Sequence, residues 1–245
     1  MISKADIKFI KSLSLKKFRD EHRMFIIEGE KMVEEAEKSS FEFVYMFRKE
    51  DIGEENMERI SLLSSPSPVL AVVKMKDAQR ITTETDPSKL YLALDSVRDP
   101  GNLGTIIRLA DWFGIDAVIA SEDCAELYNP KVVQATMGAI FRKKIIYTDL
   151  KKFLSDRSGE YNIYGTFLDA PSIYEHSITP TGIIVMGSES HGISKEIEHE
   201  ITQKLYIPPY PADSNGSESL NVAIATAVVC SEFRRISALQ PQTSR

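Results

Sequence analysis

From residue 90 onward the chain alternates short apolar runs with helical patterns of apolar and polar residues. A strand can be followed by a parallel neighbour only after a crossover, which is usually a helix. Alternation of this kind therefore predicts an α/β fold with a parallel sheet covered by helices on both faces. The predicted strands are residues 90–97, 117–120, 145–147, 163–167, 183–186 and 205–207, and the predicted helices are residues 103–113, 130–137, 149–156 and 219–237. Asn129 is predicted to cap the helix that begins at Pro130, because Asn accepts the first free amides and Pro suits the first helical turn.

The N-terminal part of the chain predicts a separate, small α/β domain. Helical spacing covers residues 3–15 and 29–38, and the predicted strands, rich in apolar, β-branched and aromatic residues, are residues 25–28, 41–47 and 69–73. Residues 76–88 are polar, as is typical of a linker. We predict domains at residues 1–75 and 89–240, joined by the linker 76–88 and followed by a frayed tail at 241–245.

Composition limits the functions that this chain can have. A net charge of −6 argues against non-specific coating of nucleic acid, which depends on many phosphate contacts from Lys and Arg. Basic residues nevertheless outnumber acids before residue 24, and Lys16, Lys17 and Arg23 there are candidates for RNA contact. No apolar run is long enough to cross a bilayer, and the N-terminus lacks the apolar core of a secretion signal, so we expect a cytoplasmic protein without membrane contact.

The cysteines and histidines do not indicate a metal site. Cys124 and Cys230 lie far apart without a CxxC pair, and the histidines have no spacing that would put two of them on one helix face. We interpret both cysteines as structural thiols.

The first of three segments with chemistry-bearing residues follows the strand predicted at 90–97. It runs from Leu94 through the turn residues Pro100, Gly101 and Gly104 into a helix that carries Arg108. Ligands of open parallel sheets bind at the carboxyl ends of strands, where glycines allow close approach of the backbone. A guanidinium four residues after Gly104 suits a phosphate or a reacting hydroxyl, although a surface arginine is an equally good interpretation.

The second segment, residues 183–192, is a buried strand that enters a glycine-flanked acidic turn. Glu189 in that turn is either a functional group at the edge of the sheet or a cap for a helix beginning near Ser194. The residues alone leave both interpretations open.

The third segment passes from a proline-blocked strand, residues 205–211, through a polar loop into a helix of small residues. Asn221 falls in the first turn of that predicted helix, although a capping residue is expected just outside the helix. A functional role therefore explains Asn221 better than a cap does.

Together, the three segments resemble the three motifs of the SpoU (TrmH-type) family of RNA ribose methyltransferases, within the knotted SPOUT superfamily. Residues 102–108 match the family's N-x-G-x-x-x-R pattern, residues 187–192 its glycine-Glu-glycine turn, and Ile207-Pro208 with Ser219-Leu-Asn-Val-Ala its last motif. The resemblance covers residue 90 to about residue 236, and residues 23–33 with 69–73 are similar to the substrate-binding domain that precedes many SpoU catalytic domains. Ser188, Ser65-Pro-Ser-Pro and the long loop 212–217 depart from the family pattern.

This resemblance implies the fold, the cofactor and the reaction of the larger domain. The fold is a parallel-sheet α/β knot, in which the C-terminal strands and the last helix pass through a deep trefoil knot. The cofactor is S-adenosylmethionine. The reaction is methyl transfer to a ribose 2′-hydroxyl of a structured RNA, rRNA or tRNA, by a homodimer.

The resemblance also implies roles for single residues. The family's cofactor contacts fall on Thr166, Gly187, Ile207, Ser219 and Leu220, and its catalytic groups fall on Asn102, Arg108, Glu189, Ser219 and Asn221. Because arginine has too high a pKa to be an effective base, we expect Arg108 to orient the hydroxyl.

Two other functions remain compatible with the sequence. One is an RNA-binding protein of the same fold without catalysis. The joint presence of the motif residues argues against this function. The other is a nucleotide-dependent oxidoreductase, suggested by a strand, a glycine turn, a helix and then Glu122 or Asp123, although Gly101 and Gly104 do not form the GxGxxG fingerprint. We expect no DNA partner.

Overall fold

The structure is a computed structural model that describes residues 2–76, 85–175, 177–211 and 219–239. The chain divides into two compact units, residues 1–80 with 126–142 and residues 81–125 with 143–245. The helices, in chain order, are α1 (Lys4–Ser12), α2 (Lys16–His22), α3 (Glu30–Glu37), α4 (Lys49–Ile52), α5 (Glu54–Ile60), α6 (Pro100–Trp112), α7 (Pro130–Thr136), α8 (Leu150–Ser155), α9 (Lys195–Glu198) and α10 (Val222–Leu239), with a 3₁₀ turn at Ala139–Phe141. The strands are β1 (Met24–Glu28), β2 (Phe43–Arg48), β3 (Val69–Lys74), β4 (Leu90–Leu94), β5 (Val118–Ser121), β6 (Ile145–Thr148), β7 (Ile163–Thr166), β8 (Gly182–Met186) and β9 (Gln203–Leu205).

The first unit is built on an antiparallel sheet in the order β1-β3-β2. The central strand β3 alternates its side chains between two apolar clusters, because successive residues of a strand point to opposite faces. Val69, Ala71 and Val73 belong to one cluster, and Leu70 and Val72 belong to the other, to which α1 and α5 contribute. An unbroken apolar run such as β3 is stable only where both faces are covered.

Residues 126–142 belong to this first unit although they follow β5 in the chain. Val133 of α7 and Phe141 of the 3₁₀ turn lie in the same apolar cluster as Phe25 of β1. The first unit therefore takes part of its core from a distant stretch of sequence. The predicted linker 76–88 falls largely on residues 77–84, which lie outside the described residues, and the linear domain limits stay a prediction.

The start of α7 confirms a capping prediction. Asn129 Oδ1 accepts the N–H of Lys131 at 2.9 Å, and Pro130 occupies the first helical position. Proline suits that position because the missing N–H would have no partner inside the helix.

Within the described residues, the second unit contains a six-stranded sheet in the order β6-β5-β4-β8-β7-β9, and its strand pairs are parallel. This confirms the α/β class. β4 and β8 are buried along their length and pair side by side, with Leu94 opposite Met186. The chain leaves β4 towards β5 on one side and leaves β8 towards β9 on the other. The carboxyl ends of β4 and β8 therefore form a topological switch point, where open α/β sheets bind ligands.

Two helices begin three residues away from the position that the sequence predicts, and capping explains both. α6 begins at Pro100 and not at residue 103, since Asp99 caps it. α10 begins at Val222 and not at residue 219, since Asn221 caps it. The predicted tail 241–245 and loop 212–217 lie outside the described residues. In the described part of the chain, no helix has both the length and the apolar character that a bilayer span needs.

Candidate active site

A cleft of about 460 Å³ opens at the carboxyl ends of β4 and β8. One wall is the turn after β4, residues 95–99, together with Asn102 of α6, and the other wall is the turn after β8, residues 188–192. Ligand pockets commonly have volumes of roughly 300–1,000 Å³. The cleft therefore has both the size and the position of a ligand site in a parallel sheet.

Two aspartates hold the first wall. Asp95, at the end of β4, is 5% exposed, and its Oδ2 accepts the N–H of Ser194 at 2.7 Å. Asp99 Oδ1 accepts the N–H of Asn102 at 2.8 Å and so caps α6 at its first residue, Pro100. The two carboxylates fix the turn and place Asn102 at the cleft.

The second wall depends on Gly187, which follows β8. A Cβ at Gly187 would lie 2.1 Å from the carbonyl carbon of Gly192, so only glycine allows the returning chain to come this close. Ser188 and Gly192 exchange both backbone hydrogen bonds at 2.9 Å, which closes a tight turn. The turn presents the exposed Glu189 at the cleft.

Asn221 joins the two walls through its side chain. Its Nδ2 donates to Asn102 Oδ1 at 2.9 Å and also to Glu189 Oε1. Three candidate residues from three separate motifs thus meet at one point. Glu189 is engaged with Asn221, and Ser194, not Glu189, is the N-cap of α9.

The prediction that Asn221 lies inside the first turn of the last helix is wrong. Asn221 Oδ1 accepts the N–H groups of Ala223 at 3.0 Å and of Ile224 at 3.2 Å, so Asn221 is the N-cap of α10. Capping uses only the amide oxygen. The amide nitrogen of the same side chain therefore bonds the two cleft residues at the same time.

The cofactor contacts implied by the resemblance fall on one edge of the sheet. Thr166 ends β7, Gly187 follows β8, and Ile207 follows β9. These strands are neighbours in the order β8-β7-β9, and Thr166 Oγ1 lies 3.9 Å from Met186 Sδ. Backbone groups at three adjacent strand ends are therefore close enough to hold one ligand together.

The remaining cofactor candidates, Ser219 and Leu220, stand just before α10. Both are exposed, and the apolar side chain of Leu220 is 48% exposed. Among the described residues that line the cleft, none is one of the five cofactor candidates. Strand-end backbone groups and an exposed leucine fit S-adenosylmethionine, which combines an adenosine with a charged amino-acid part.

Arg108 lies on the exposed side of α6 and does not line the cleft. No described residue forms a hydrogen bond or ion pair with its guanidinium. Its catalytic role stays a prediction.

The RNA-binding candidates lie in the first unit. Lys16 pairs with Asp20 at 2.5 Å, Arg23 donates to the carbonyl oxygen of Lys76 at 3.2 Å, and Lys17 is exposed. Their contact with RNA stays a prediction.

Arg98 and Asp123 form a polar group that was not predicted from the sequence. Arg98 Nη2 donates to Asp123 Oδ2 at 2.6 Å, and the same carboxylate accepts the hydroxyls of Ser121 at 2.6 Å and Ser96 at 2.8 Å. The hydroxyl of Ser121 and the guanidinium of Arg98 lower the pKa of Asp123 to about 2. The signal for this group was the position of each residue at or just after the end of a buried strand.

Residues 89–231, more than half of the chain, match the model of the SpoU rRNA Methylase family. The chain belongs to the SpoU rRNA methylase family. Residues 4–91 match the MRM3-like substrate binding domain. Both matches confirm the resemblance found in the motifs. The trefoil knot stays a prediction, because the path from β9 to α10 includes residues 212–218, outside the described residues.

Named relatives cover most of the chain. The 23S rRNA (guanosine(2553)-2′-O)-methyltransferase RlmP of Bacillus subtilis is 29% identical and is matched over 93% of this chain and 95% of its own length. The 23S rRNA (guanosine-2′-O-)-methyltransferase RlmB of Acinetobacter baylyi is 33% identical over 69% of this chain and 67% of its own length. A crystal structure of an AdoMet-bound rRNA methyltransferase from Sinorhizobium meliloti is 27% identical, with a TM-score of 0.83 over 96% of this chain and 97% of that chain.

Proposed function

We propose that this protein transfers a methyl group from S-adenosylmethionine to a ribose 2′-hydroxyl of ribosomal RNA. The observation that carries the proposal is the contact of Asn221 with both Asn102 and Glu189, which assembles the three family motifs at the switch point of the sheet. RlmP and RlmB, named as 23S rRNA 2′-O-methyltransferases, support the same reaction. We prefer rRNA to tRNA because the family and both relatives are named for rRNA.

For this reaction the protein must align a ribose oxygen with the methyl group and help to remove the proton of the hydroxyl. S-adenosylmethionine, when bound, supplies a methyl group on a positively charged sulfur. Arginine is a poor base and a good hydrogen-bond donor. We therefore assign Arg108 to orienting the hydroxyl through its N–H donors.

The other candidate residues act by holding the site together. Asn221 ties the start of α6 to the turn at residues 188–192, so that both walls keep one spacing. Backbone groups around Thr166, Gly187 and Ile207, with Leu220, would hold the cofactor. A misplacement of about 1 Å in such a site commonly costs about 100-fold in rate.

We also propose that the protein is a homodimer, as the family resemblance implies. Helices α6 and α10 pack on each other, and large apolar side chains on or beside them are exposed: Trp112 by 83%, Ile224 by 54% and Leu220 by 48%. Exposed apolar surface of this kind often marks an interface. Sedimentation at micromolar concentration should give a dimer, and a monomer would contradict this part of the proposal. A cytoplasmic location stays a prediction.

Ligand binding and methyl transfer test the reaction. Calorimetry should show binding of S-adenosylmethionine and none of NAD, whereas the oxidoreductase alternative predicts the reverse. Wild-type protein should transfer labelled methyl groups from S-adenosylmethionine to a 2′-oxygen of rRNA, and Arg108→Ala should do so about 100-fold more slowly. A protein that binds rRNA but transfers nothing would instead be an RNA-binding module of the same fold.

Asn221→Ser separates the site contacts of Asn221 from its capping. Serine caps helices about as well as asparagine, so the free energy of unfolding should change by less than about 0.5 kcal/mol. The shorter side chain cannot reach both Asn102 and Glu189, so methyl transfer should fall about 100-fold. The control Asn129→Ser makes the same change at the cap of α7 and should keep the wild-type rate. Equal rates for Asn221→Ser and wild type would contradict the proposal.

A further inference from the structure

Arg98 stands at the cleft with most of its hydrogen-bonding capacity unused. It lines the cleft from the turn after β4, and its side chain is 73% exposed. A guanidinium has five N–H donors. In the described part of the chain, Arg98 forms one hydrogen bond, to Asp123 Oδ2 at 2.6 Å. The remaining donors are open to a ligand in the cleft.

The turn that carries Arg98 is fixed by hydrogen bonds from the neighbouring strand. Ser96 has a φ of 59°, a left-handed conformation that is unfavourable for a residue with a Cβ. Its N–H donates to Ser121 Oγ at 2.9 Å, and its hydroxyl donates to Asp123 at 2.8 Å. A strained residue persists only where its surroundings over-determine it. The backbone of the turn is therefore fixed, and the bond to Asp123 holds the Arg98 side chain at the cleft.

Arg98 also differs in charge from the other residues of the cleft. Its carboxylates, Asp95, Asp99 and Glu189, each accept a hydrogen bond from the protein. Among the described residues that line the cleft, Arg98 is the one lysine or arginine. Among these charged side chains, the guanidinium of Arg98 is the one that attracts an anion, so an anionic ligand is expected beside Arg98 and away from the three carboxylates.

We propose that Arg98 binds a phosphodiester of the RNA substrate at the cleft, and that Asp123 positions Arg98 for this contact. The inference rests on the proposed function and adds a substrate-binding residue to it. Arginine suits the role because its planar guanidinium binds two phosphate oxygens at once. A phosphate contact sets the register of the RNA without reading its sequence.

Methyl transfer to rRNA by wild type, Arg98→Ala and Arg98→Lys tests the contact. Arg98→Ala should raise KM for rRNA about tenfold and leave kcat within about twofold. Arg98→Lys should recover part of the loss, because lysine binds phosphate as a point charge. The matched control is Arg235→Ala, since Arg235 pairs with Glu232 at 2.6 Å in the same unit and does not line the cleft. The control should behave as wild type.

The salt dependence of RNA binding identifies the ligand as a phosphate. The slope of log K against log salt should become shallower by about 0.7–0.9 in Arg98→Ala, as expected for the loss of one phosphate contact. The dissociation constant of S-adenosylmethionine should stay unchanged. A rise in that constant would show that Arg98 binds the carboxylate of the cofactor, and this would overturn the proposal.

Asp123→Asn tests the positioning role. It should raise KM for rRNA about threefold in the wild-type background and have no further effect in Arg98→Ala, because Asp123 acts through Arg98. An equal effect in both backgrounds would overturn the positioning role.

Failure of this inference is distinguishable from failure of the proposed function. If wild type transfers no methyl group to rRNA, the proposed function fails, and the salt slope of RNA binding still tests Arg98. If wild type is active and Arg98→Ala keeps the wild-type KM and salt slope, only the inference fails. The inference alone also fails if Arg235→Ala raises KM for rRNA as much as Arg98→Ala does.

Discussion

Two arginine–carboxylate pairs occupy contrasting places in the molecule. In the first unit, Arg19 is 2% exposed and pairs with Glu126, whose side chain is 24% exposed. Nη1 of Arg19 also donates to two carbonyl oxygens of the turn between α1 and α2, at 3.0 and 2.7 Å. At the cleft of the second unit, the side chains of Arg98 and Asp123 are 73% and 44% exposed. Both pairs join an arginine to a carboxylate, but the arginine is buried in the first pair and exposed in the second.

Burial decides what each pair does. Removal of one partner from a buried pair leaves an uncompensated charge and is strongly destabilising, whereas an exposed pair is screened by water and contributes little. The buried pair therefore holds residues 126–142 in the first unit. The exposed pair is able to serve a ligand, because its stability contribution is small and its donors are accessible.

The largest expected effect comes from breaking the buried pair with Glu126→Gln. Arg19 would keep its charge without a counter-charge, and the free energy of unfolding should fall by about 3 kcal/mol. Denaturant titration measures this. The control Lys49→Ala breaks an exposed pair with Glu54 in the same unit and should cost less than about 0.5 kcal/mol. A loss below about 1 kcal/mol for Glu126→Gln would show that burial does not separate the two pairs.

Gly138→Ala tests the packing of the same segment without changing a charge. An added Cβ would lie 2.8 Å from Cγ of Glu35, and Gly138 has a φ of 93°. Strain and overlap together should cost about 2–3 kcal/mol in thermal or chemical unfolding. The control Gly159→Ala has a φ of 84° with nothing near the added Cβ, so it measures the strain alone. Equal losses would mean that Gly138 does not approach Glu35 of α3 this closely.

Arg98→Ala tests whether the exposed pair at the cleft contributes to stability. Because the pair is exposed, the free energy of unfolding should change by less than about 0.5 kcal/mol even though RNA binding is weakened. Denaturant titration of the same protein preparation used for kinetics gives the value. A loss of more than about 2 kcal/mol would make the cleft pair a structural element like the buried one.

The smallest effect is the pH dependence of the Asp123 contribution. The pKa of Asp123 is about 2 in the folded protein against 3.8 as the ordinary value, so the folded state binds this proton less well. The stabilisation is therefore present above pH 3.8 and is lost as the pH falls through 2. The difference in melting temperature between wild type and Asp123→Asn should shrink between these limits. If the difference in melting temperature grew towards low pH, the pKa of Asp123 would be raised on folding and not lowered, which would contradict the prediction.

The central strands of the larger sheet are predictable because β4 and β8 are buried over their whole length. The prediction of a strand at residues 205–207 is less accurate, because β9 is found at Gln203–Leu205 and begins with two polar residues. Residues 183–186 were expected as a buried strand, and β8 is found at Gly182–Met186. The same holds for the cap at Asn129 and Pro130, whose partners lie within two residues. In both cases the deciding interaction is local, or depends only on burial.

The candidate site was predictable in part. Asn102, Glu189 and Asn221 were expected from the motifs, and the structure brings them together. Arg98 and Asp123 were missed because a charged residue after a strand has no assignable partner until the order of the strands is known. Their pairing depends on β4 and β5 being neighbours.

The sequence by itself determined the alternation of strands and helices, the helix caps of α7 and the three motifs, since these depend on residues a few positions apart. Tertiary structure alone decided which charges are paired. Asn221 meets Asn102 across 119 positions, and Arg19 meets Glu126 across 107. Contacts at such separations depend on the packing of whole elements, which the local pattern of residues does not reveal. For Arg19 the physical reason is burial, because a buried charge without a partner is costly.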